Sequence, residues 1–242
     1  MLTESDIASL NPLFEKSTPA EVVRWAQGEF GNRLVMSSSF GADSAVLLHL
    51  ATRAMPDIPV IMVDTGFLFP ETEQFMETLK QRMGLQVRIY RSRQEPAAYL
   101  KQAGETDPQQ RRDIAGCCAI NKNEPFDRAM GELAPAAWLR GIRRGQSVSR
   151  ADRQFVEYSP RYGCWVVSPL LNWGGREIHQ YLKEYDLPYH PLRDQGYRSI
   201  GCHPLSCTRP IMPGEEERSG RWTGTGKLEC GINLNTVEKP KA

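Results

Sequence analysis

Five of the six cysteines in this 242-residue chain fall in an order that suggests redox or metal chemistry: adjacent Cys117 and Cys118, then Cys202 and Cys207, then Cys230 alone near the C-terminus. Four soft thiols in two pairs have the make-up of a metal set. The fifth stands in Lys227-Leu228-Glu229-Cys230-Gly231, among small and charged residues with nothing apolar enough to bury it. It is expected to be an accessible nucleophile. Cys164 precedes the apolar Trp165-Val166-Val167 and is expected in the core.

The elements that must position these thiols alternate between strand and helix signals. Thr18-Pro19-Ala20-Glu21 is a capping box with proline at the first helical position, and the helix it opens should close near Gly28-Glu29-Phe30-Gly31. Arg33-Leu34-Val35-Met36 reads as a strand running into the small-residue loop Ser37-Ser38-Ser39-Phe40-Gly41-Ala42-Asp43-Ser44, with helical character from Ala45 to Leu50. Pro59 to Val63 predicts a second strand ending in Asp64-Thr65-Gly66, Pro70 to Met83 a helix stopped by Gly84, and Gln86 to Tyr90 a third strand. A polar helical stretch is expected through Arg111-Arg112-Asp113, strands at Ala137 to Arg140 and Trp165 to Val167, and a late helix at Arg176 to Leu182. The fold class expected is α/β, with helices on both faces of a Rossmann-like parallel sheet. From about Tyr189 onward proline, glycine and charge replace periodicity, so residues 1–188 read as the α/β domain and 189–242 as a functional tail.

Composition narrows the class of partner. The net charge is +1 and 24% of residues are charged, which describes a soluble protein rather than a nucleic-acid or membrane binder. No stretch approaches the ~20 apolar residues of a bilayer span, and the first residues carry no leader pattern, so a cytosolic location is expected. Thiols stay reduced there, which favours metal ligation or catalysis over structural disulfides.

The serine-rich loop has the position of a phosphate site, because small side chains let backbone N–H groups approach an anion at the positive end of a helix. No Lys-Ser or Lys-Thr follows Gly41, and the Rossmann glycine triplet is absent, so neither standard fingerprint applies. A plain strand-to-helix turn capped by Asp43 or Ser44 would read the same way. Asp64-Thr65-Gly66 on the neighbouring strand's carboxyl end tips the reading to a nucleotide crevice.

Taken together, these residues resemble the assimilatory sulfonucleotide reductases. The resemblance runs from about residue 30 to 233. It rests on Ser37-Ser38-Ser39-Phe40-Gly41, Asp64-Thr65-Gly66, Cys117-Cys118 with Lys122, Gly141-Ile142-Arg143-Arg144 with Gln146-Ser147, Gly201-Cys202, and Glu229-Cys230-Gly231. The cysteine pairs are similar to those of adenylyl-sulfate (APS) reductases carrying a [4Fe-4S] cluster, rather than the cluster-free enzymes of phosphoadenylyl sulfate (PAPS). The resemblance implies cluster ligation by Cys117, Cys118, Cys202 and Cys207. It also implies attack of the Cys230 thiolate on the sulfur of APS, and release of sulfite by thioredoxin or a similar dithiol. Two anions meet in that step, so fixed cations are needed. Lys122, Arg143, Arg144, Arg218 and Arg221 match the family's basic positions, and self-association is common in the family. The tail is expected to close over nucleotide and open to the reductant.

The chain departs from the family pattern in three places. Four residues separate Cys202 from Cys207 where the family has two, Asn121 replaces an arginine, and Asn233 replaces a histidine after Glu-Cys-Gly. The longer loop costs only tenths of a kcal/mol by chain entropy. It leaves open a cluster, zinc with help from His203, or a redox-active pair without metal. Reduction of PAPS, an ATP-using nucleotidyl or sulfur-transfer activity, and a non-enzymatic metal-binding role are the alternatives to APS reduction. His49 is expected to be packed, His179 to lie on a helix surface, and His190 to sit in a turn.

Overall fold

Alternation of side chains across short apolar strands explains why both faces of the sheet are covered. The computed structural model describes residues 2–102, 104, 113–203 and 207–233. Strands β1 (Leu34–Ser37), β2 (Pro59–Asp64), β3 (Gln86–Arg91), β4 (Ala137–Leu139), β5 (Val156–Ser159) and β6 (Cys164–Val167) form one sheet in the order β3-β2-β1-β4-β6-β5. All neighbours run parallel except β5 and β6, which form an antiparallel edge. Leu34, Met36, Val60, Met62, Ala137, Leu139 and Val167 point to one core, and Val35, Ile61, Trp138 and Val166 to the other.

The first core is closed by helices α1 (Glu4–Phe14), α2 (Pro19–Phe30), α3 (Ser44–Ala54), α4 (Pro70–Met83) and α8 (Gly175–Glu184). Thr18 and Glu21 cap α2 reciprocally, with Thr18 N donating to Glu21 Oε2 at 2.7 Å and Glu21 N to Thr18 Oγ1 at 3.3 Å. Opposite lie α5 (Pro96–Gln102), α6 (Ile114–Cys118) and α7 (Glu124–Leu133), with a π-helical turn over Ala119–Asn123 joining the last two. Helix α7 and the C-terminal segment cover this second face together: Phe126, Ala129 and Met130 pack with Cys207, Trp222, Cys230 and Ile232. A core on each face, built partly from the tail, places Cys230 at the sheet rather than in solvent.

Several elements differ from the sequence-based reading. Helix α1, with a capping box from Thr3 and Asp6, strand β5 and helix α7 were not expected. Strand β5 exists because Tyr158 and Val156 pair with Trp165 and Val167 through a turn at Gly163, whose φ is +62°. Strand β4 ends at Leu139, not Arg140, whose buried guanidinium turns to Glu157 and Ser168. The helical stretch expected through Arg111 and Arg112 lies outside the described residues. Asp113 instead caps α6, accepting from Gly116 N at 2.8 Å. Between residues 189 and 233 the described residues add no sheet strand and are tied down by isolated bridges, Leu68 with Cys202 and Thr208 with Arg221. Among the described residues no helix is long and apolar enough to cross a membrane.

Candidate active site

A cleft opens at the carboxyl ends of β1, β2 and β4, where open parallel sheets bind ligands. Its floor is the loop after β1. Ser38 N donates to Ile61 O at 3.0 Å, Trp138 Nε1 to Ser37 Oγ at 2.8 Å, and Ser44 Oγ to Gly41 O at 2.8 Å. Ser37, Ser38, Ser39, Gly41 and Asp43 line the cleft. Phe40 does not. Its backbone is left-handed at φ +48° and its ring is fully buried in the first core, so it anchors the loop from behind. Burial of the phenyl group offsets the cost of that conformation.

The turn after β2 reaches the site through one residue. Thr65 is buried, lines the cleft, and its Oγ1 lies 3.4 Å from Cys202 Sγ. Asp64 points away, accepting from Arg91 Nε at 2.7 Å and from Gly66 N at 2.9 Å. Gly66, at φ +71°, must be glycine, since a Cβ there would stand 2.2 Å from Pro96 Cγ. Neither of the last two lines the cleft.

The expected cations separate into three kinds. Lys122, carried by the π-helical turn, and Arg221 face the cleft. Arg221 lies over the Trp222 ring with its guanidinium stacked on Gly201, where a Cβ would meet Nη2 at 2.2 Å. Arg143 lines the cleft but is 2% exposed and committed to two carboxylates, Asp43 at 2.5 Å and Glu217 at 2.9 Å. It thereby clamps the start of α3 to the C-terminal segment. Burial raises the Asp43 carboxyl above its ordinary value in spite of the Arg143 charge. Arg144, expected in the site, is not brought to it. Its guanidinium reaches outward to Glu15 at 2.7 Å and Asn172 at 2.5 Å, because the chain turns between two consecutive arginines and sends them to opposite sides.

Cys230 is buried, contrary to the accessible position expected from its neighbours in sequence. Trp222, Ile232 and the sheet supply the apolar company that residues 227–231 lack. Burial alone would raise its thiol, but the Lys122 ammonium and the Ile232 N–H overcome it, and the thiol sits below its ordinary value. Lys122 is raised reciprocally, first by the charge on Cys230 and against the effect of burial. Next to the thiol, Glu229 is 7% exposed and is held by Arg150 through Nε at 2.5 Å and Nη2 at 2.9 Å, and by Arg218 at 3.3 Å. Arg150 escaped the sequence reading, since 79 residues separate it from Glu229 and nothing local connects them. Arg198, Trp222 and Asn233 also line the cleft without having been singled out for it.

The remaining sequence candidates fall outside the cleft. Cys164 is buried in the core and burial pushes its thiol up to about 12. His49 packs against Tyr181 and Tyr185, and His179 bonds to Tyr189 at an exposed position. His190 caps the 3-10 turn Pro191–Gln195, accepting from Leu192 N, and contacts Thr72 at 3.0 Å. It is buried away from the cleft.

The four cysteines expected to hold a cluster are divided between two apolar clusters, Cys117 in one and Cys118, Cys202 and Cys207 in the other. Among the described residues no three His, Cys, Asp or Glu side chains come together as a metal centre. Cys117 packs with Tyr99 and Leu100 and takes a hydrogen bond from Asn121 Nδ2 at 3.6 Å, whereas Cys207 packs with Trp222 and Cys230. Cys118 and Cys202 are half-buried beside Lys122. Four thiols are the right donors for iron and sulfide, and no chemical step is routed through a cluster.

A thiol beside a lysine, at the carboxyl ends of a parallel sheet and next to a small-residue loop, has the setting in which open α/β sheets bind ligands. Residues 33–210 match the phosphoadenosine phosphosulfate reductase domain, and the chain belongs to that family of sulfur oxidoreductases. It is 42% identical to a phosphoadenosine 5'-phosphosulfate reductase of Xylella fastidiosa, over 95% of each chain. It is 36% identical to an adenosine 5'-phosphosulfate reductase of Halalkalibacterium halodurans, over 94% of this chain and 96% of that one. The crystal structure of a phosphoadenylyl-sulfate reductase from Candida auris in complex with phosphate superposes with a TM-score of 0.72 at 28% identity, covering 84% of this chain and 96% of that one.

Proposed function

We propose that this protein reduces adenylyl sulfate to sulfite and AMP in sulfate assimilation. The observation that carries the reading is Cys230, buried at the end of a nucleotide-type cleft with Lys122 against it. The thiolate attacks the sulfur of the sulfuryl group. A sulfur–sulfur bond forms, the bond from sulfur to the phosphate oxygen breaks with its electron pair on AMP, and a thiosulfonate remains on Cys230. A thiolate of a thioredoxin-like dithiol then attacks Cys230 Sγ, sulfite leaves with the bonding pair, and the second thiol closes the reductant's disulfide. Two electrons pass from the dithiol to the sulfur.

This chain's residues serve those steps in distinct ways. Lys122 favours the ionised thiol and, with Arg221, offsets repulsion between thiolate and sulfuryl oxygens. The loop Ser37 to Gly41 supplies small polar contacts for the nucleotide phosphate at the start of α3. Thr65 and Gly201 line the same cleft, and the lack of a side chain at Gly201 makes room for the Arg221 guanidinium.

The choice of adenylyl sulfate over its 3'-phosphorylated form rests on the two cysteine pairs, and the [4Fe-4S] cluster is a separate proposal resting on the same residues. Sulfite release from anaerobically purified protein, given each nucleotide with thioredoxin, tests the first. Iron and acid-labile sulfide counted on that sample test the second, with about four irons per chain expected. Sulfite from PAPS alone, without iron, would keep the reductase and overturn both the substrate and the cluster. Sulfite from neither would favour nucleotidyl transfer.

A further inference from the structure

The carboxylate of Glu229 is the most heavily bonded side chain near the site, and the reaction above gives it no role. It accepts from Arg150 Nε and Nη2, Arg218 Nη2, Asn233 Nδ2 and the backbone N–H of Cys230, at 2.5, 2.9, 3.3, 3.4 and 2.8 Å. Those donors come from the loop after β4, the segment after Cys207 and the tail itself. Two further arginines grip the same five residues by their backbone, Arg161 at Gly231 O and Arg153 at Asn233 O, at 3.2 and 2.9 Å. Gly231 is pressed on the Asn123 side chain so closely that a Cβ would lie 2.5 Å from Nδ2.

An ion pair as buried as Arg150 with Glu229 is costly to desolvate, and leaving either partner alone is strongly unfavourable. The pair is therefore made whenever the tail is docked, and the docked position is fixed by where Arg150 stands. Because Cys230 N–H donates to the same carboxylate, the backbone that carries the thiol is oriented by it directly.

We propose that Glu229 is the positioning residue of the Cys230 nucleophile: held by Arg150 and Arg218, its carboxylate docks residues 229–233 on the sheet and sets the thiol beside Lys122. The inference rests on the reading of Cys230 as nucleophile and adds what places it.

Two effects of Glu229 on the thiol have opposite signs, which makes the proposal testable. The nearby negative charge by itself disfavours the thiolate, whereas docking brings the thiol to Lys122, which favours it. In the full chain carrying Glu229→Gln, the rate of iodoacetamide labelling of Cys230 is followed against pH by peptide mass spectrometry. Loss of docking moves the labelling midpoint up toward the ordinary thiol value of about 8.5, and raises the rate at about pH 9 by roughly tenfold as the thiol is uncovered. A midpoint that falls, or a midpoint and rate that stay as in the wild type while only the melting temperature drops, overturns the proposal. Arg150→Met removes the partner from the other side; it should give the same upward shift, and the double variant no more than either alone. Labelling needs no turnover, so a failure of sulfite formation would sink the reductase reading without touching this one.

Discussion

Lys122 and Cys230 each favour the other's charged form in the cleft, although one comes from a π-helical turn and the other from the C-terminal tail. A π turn is an uncommon local geometry concentrated at functional sites. Here it carries Lys122 four residues past Cys118 into the same cleft as Cys230.

Replacing Lys122 with methionine should therefore raise the thiol of Cys230, since burial would then act with no ammonium beside it. The acid limb of sulfite formation moves to higher pH, and the rate near neutrality falls by about a hundredfold or more. A pH–rate profile with an unmoved acid limb would show that the lysine serves binding only.

Glu229 gives a stability prediction with a definite pH window. Burial would raise its carboxyl, but the hydrogen bonds and charges of Arg150 and Arg218 bring it to about 2, below the usual 4.5. A depressed carboxyl stabilises the fold above its unfolded value and loses that contribution as pH falls through the folded one. Denaturant unfolding of wild type and Glu229→Gln should thus differ by on the order of 2–3 kcal/mol at neutral pH, and the two should converge between about pH 4.5 and pH 2. A difference that stays constant across that window would contradict the assignment.

Two neighbouring glycines should separate function from folding. At Gly201 the nearest atoms a Cβ would meet are those at the movable end of Arg221, so Gly201→Ala displaces that guanidinium and should weaken nucleotide turnover about tenfold or more with little change in melting temperature. At Gly220 a Cβ stands 2.4 Å from the backbone oxygen of Arg209, which cannot step aside. Gly220→Ala should cost about 2 kcal/mol or more of stability. Calorimetry and sulfite assays on both variants give the contrast, and equal melting losses would refute it.

Arg144 should matter to the fold and not to the chemistry. Its partners are Glu15, Asn172 and Arg153 O, outside the cleft, and its charge is a quarter exposed. Arg144→Ala is expected to keep sulfite formation within about twofold while lowering stability by about 1 kcal/mol. A large loss of turnover at unchanged stability would return Arg144 to the site.

Cys164 should behave as an inert apolar side chain. Its thiol, pushed up to about 12 by burial, stays unlabelled in the native protein near pH 8 while Cys230 reacts. Cys164→Ala should cost roughly 1 kcal/mol and leave turnover in place, as unfolding and sulfite assays on the variant would show.

The sequence by itself determined the parallel sheet, because short continuous apolar runs such as Val60-Ile61-Met62, which supply side chains to both faces, and a capping box such as Thr18 to Glu21 act over a few residues. Its residues also marked Ser37 to Gly41, Thr65 and Cys230, and its resemblance to the family marked Lys122. What only the tertiary structure decided is how charge is distributed among those elements. Consecutive Arg143 and Arg144 read alike in sequence, yet one clamps Asp43 to Glu217 while the other leaves the site for Glu15. Cys230 read as exposed because its neighbours are polar, yet it is buried by Trp222 and by strands nearly two hundred residues away in the chain. Arg150 carried no local signal at all. Ion pairing and burial depend on distance in space, and a buried charge must find its partner wherever the chain brings one, so these relations were fixed only when the tail docked on the sheet.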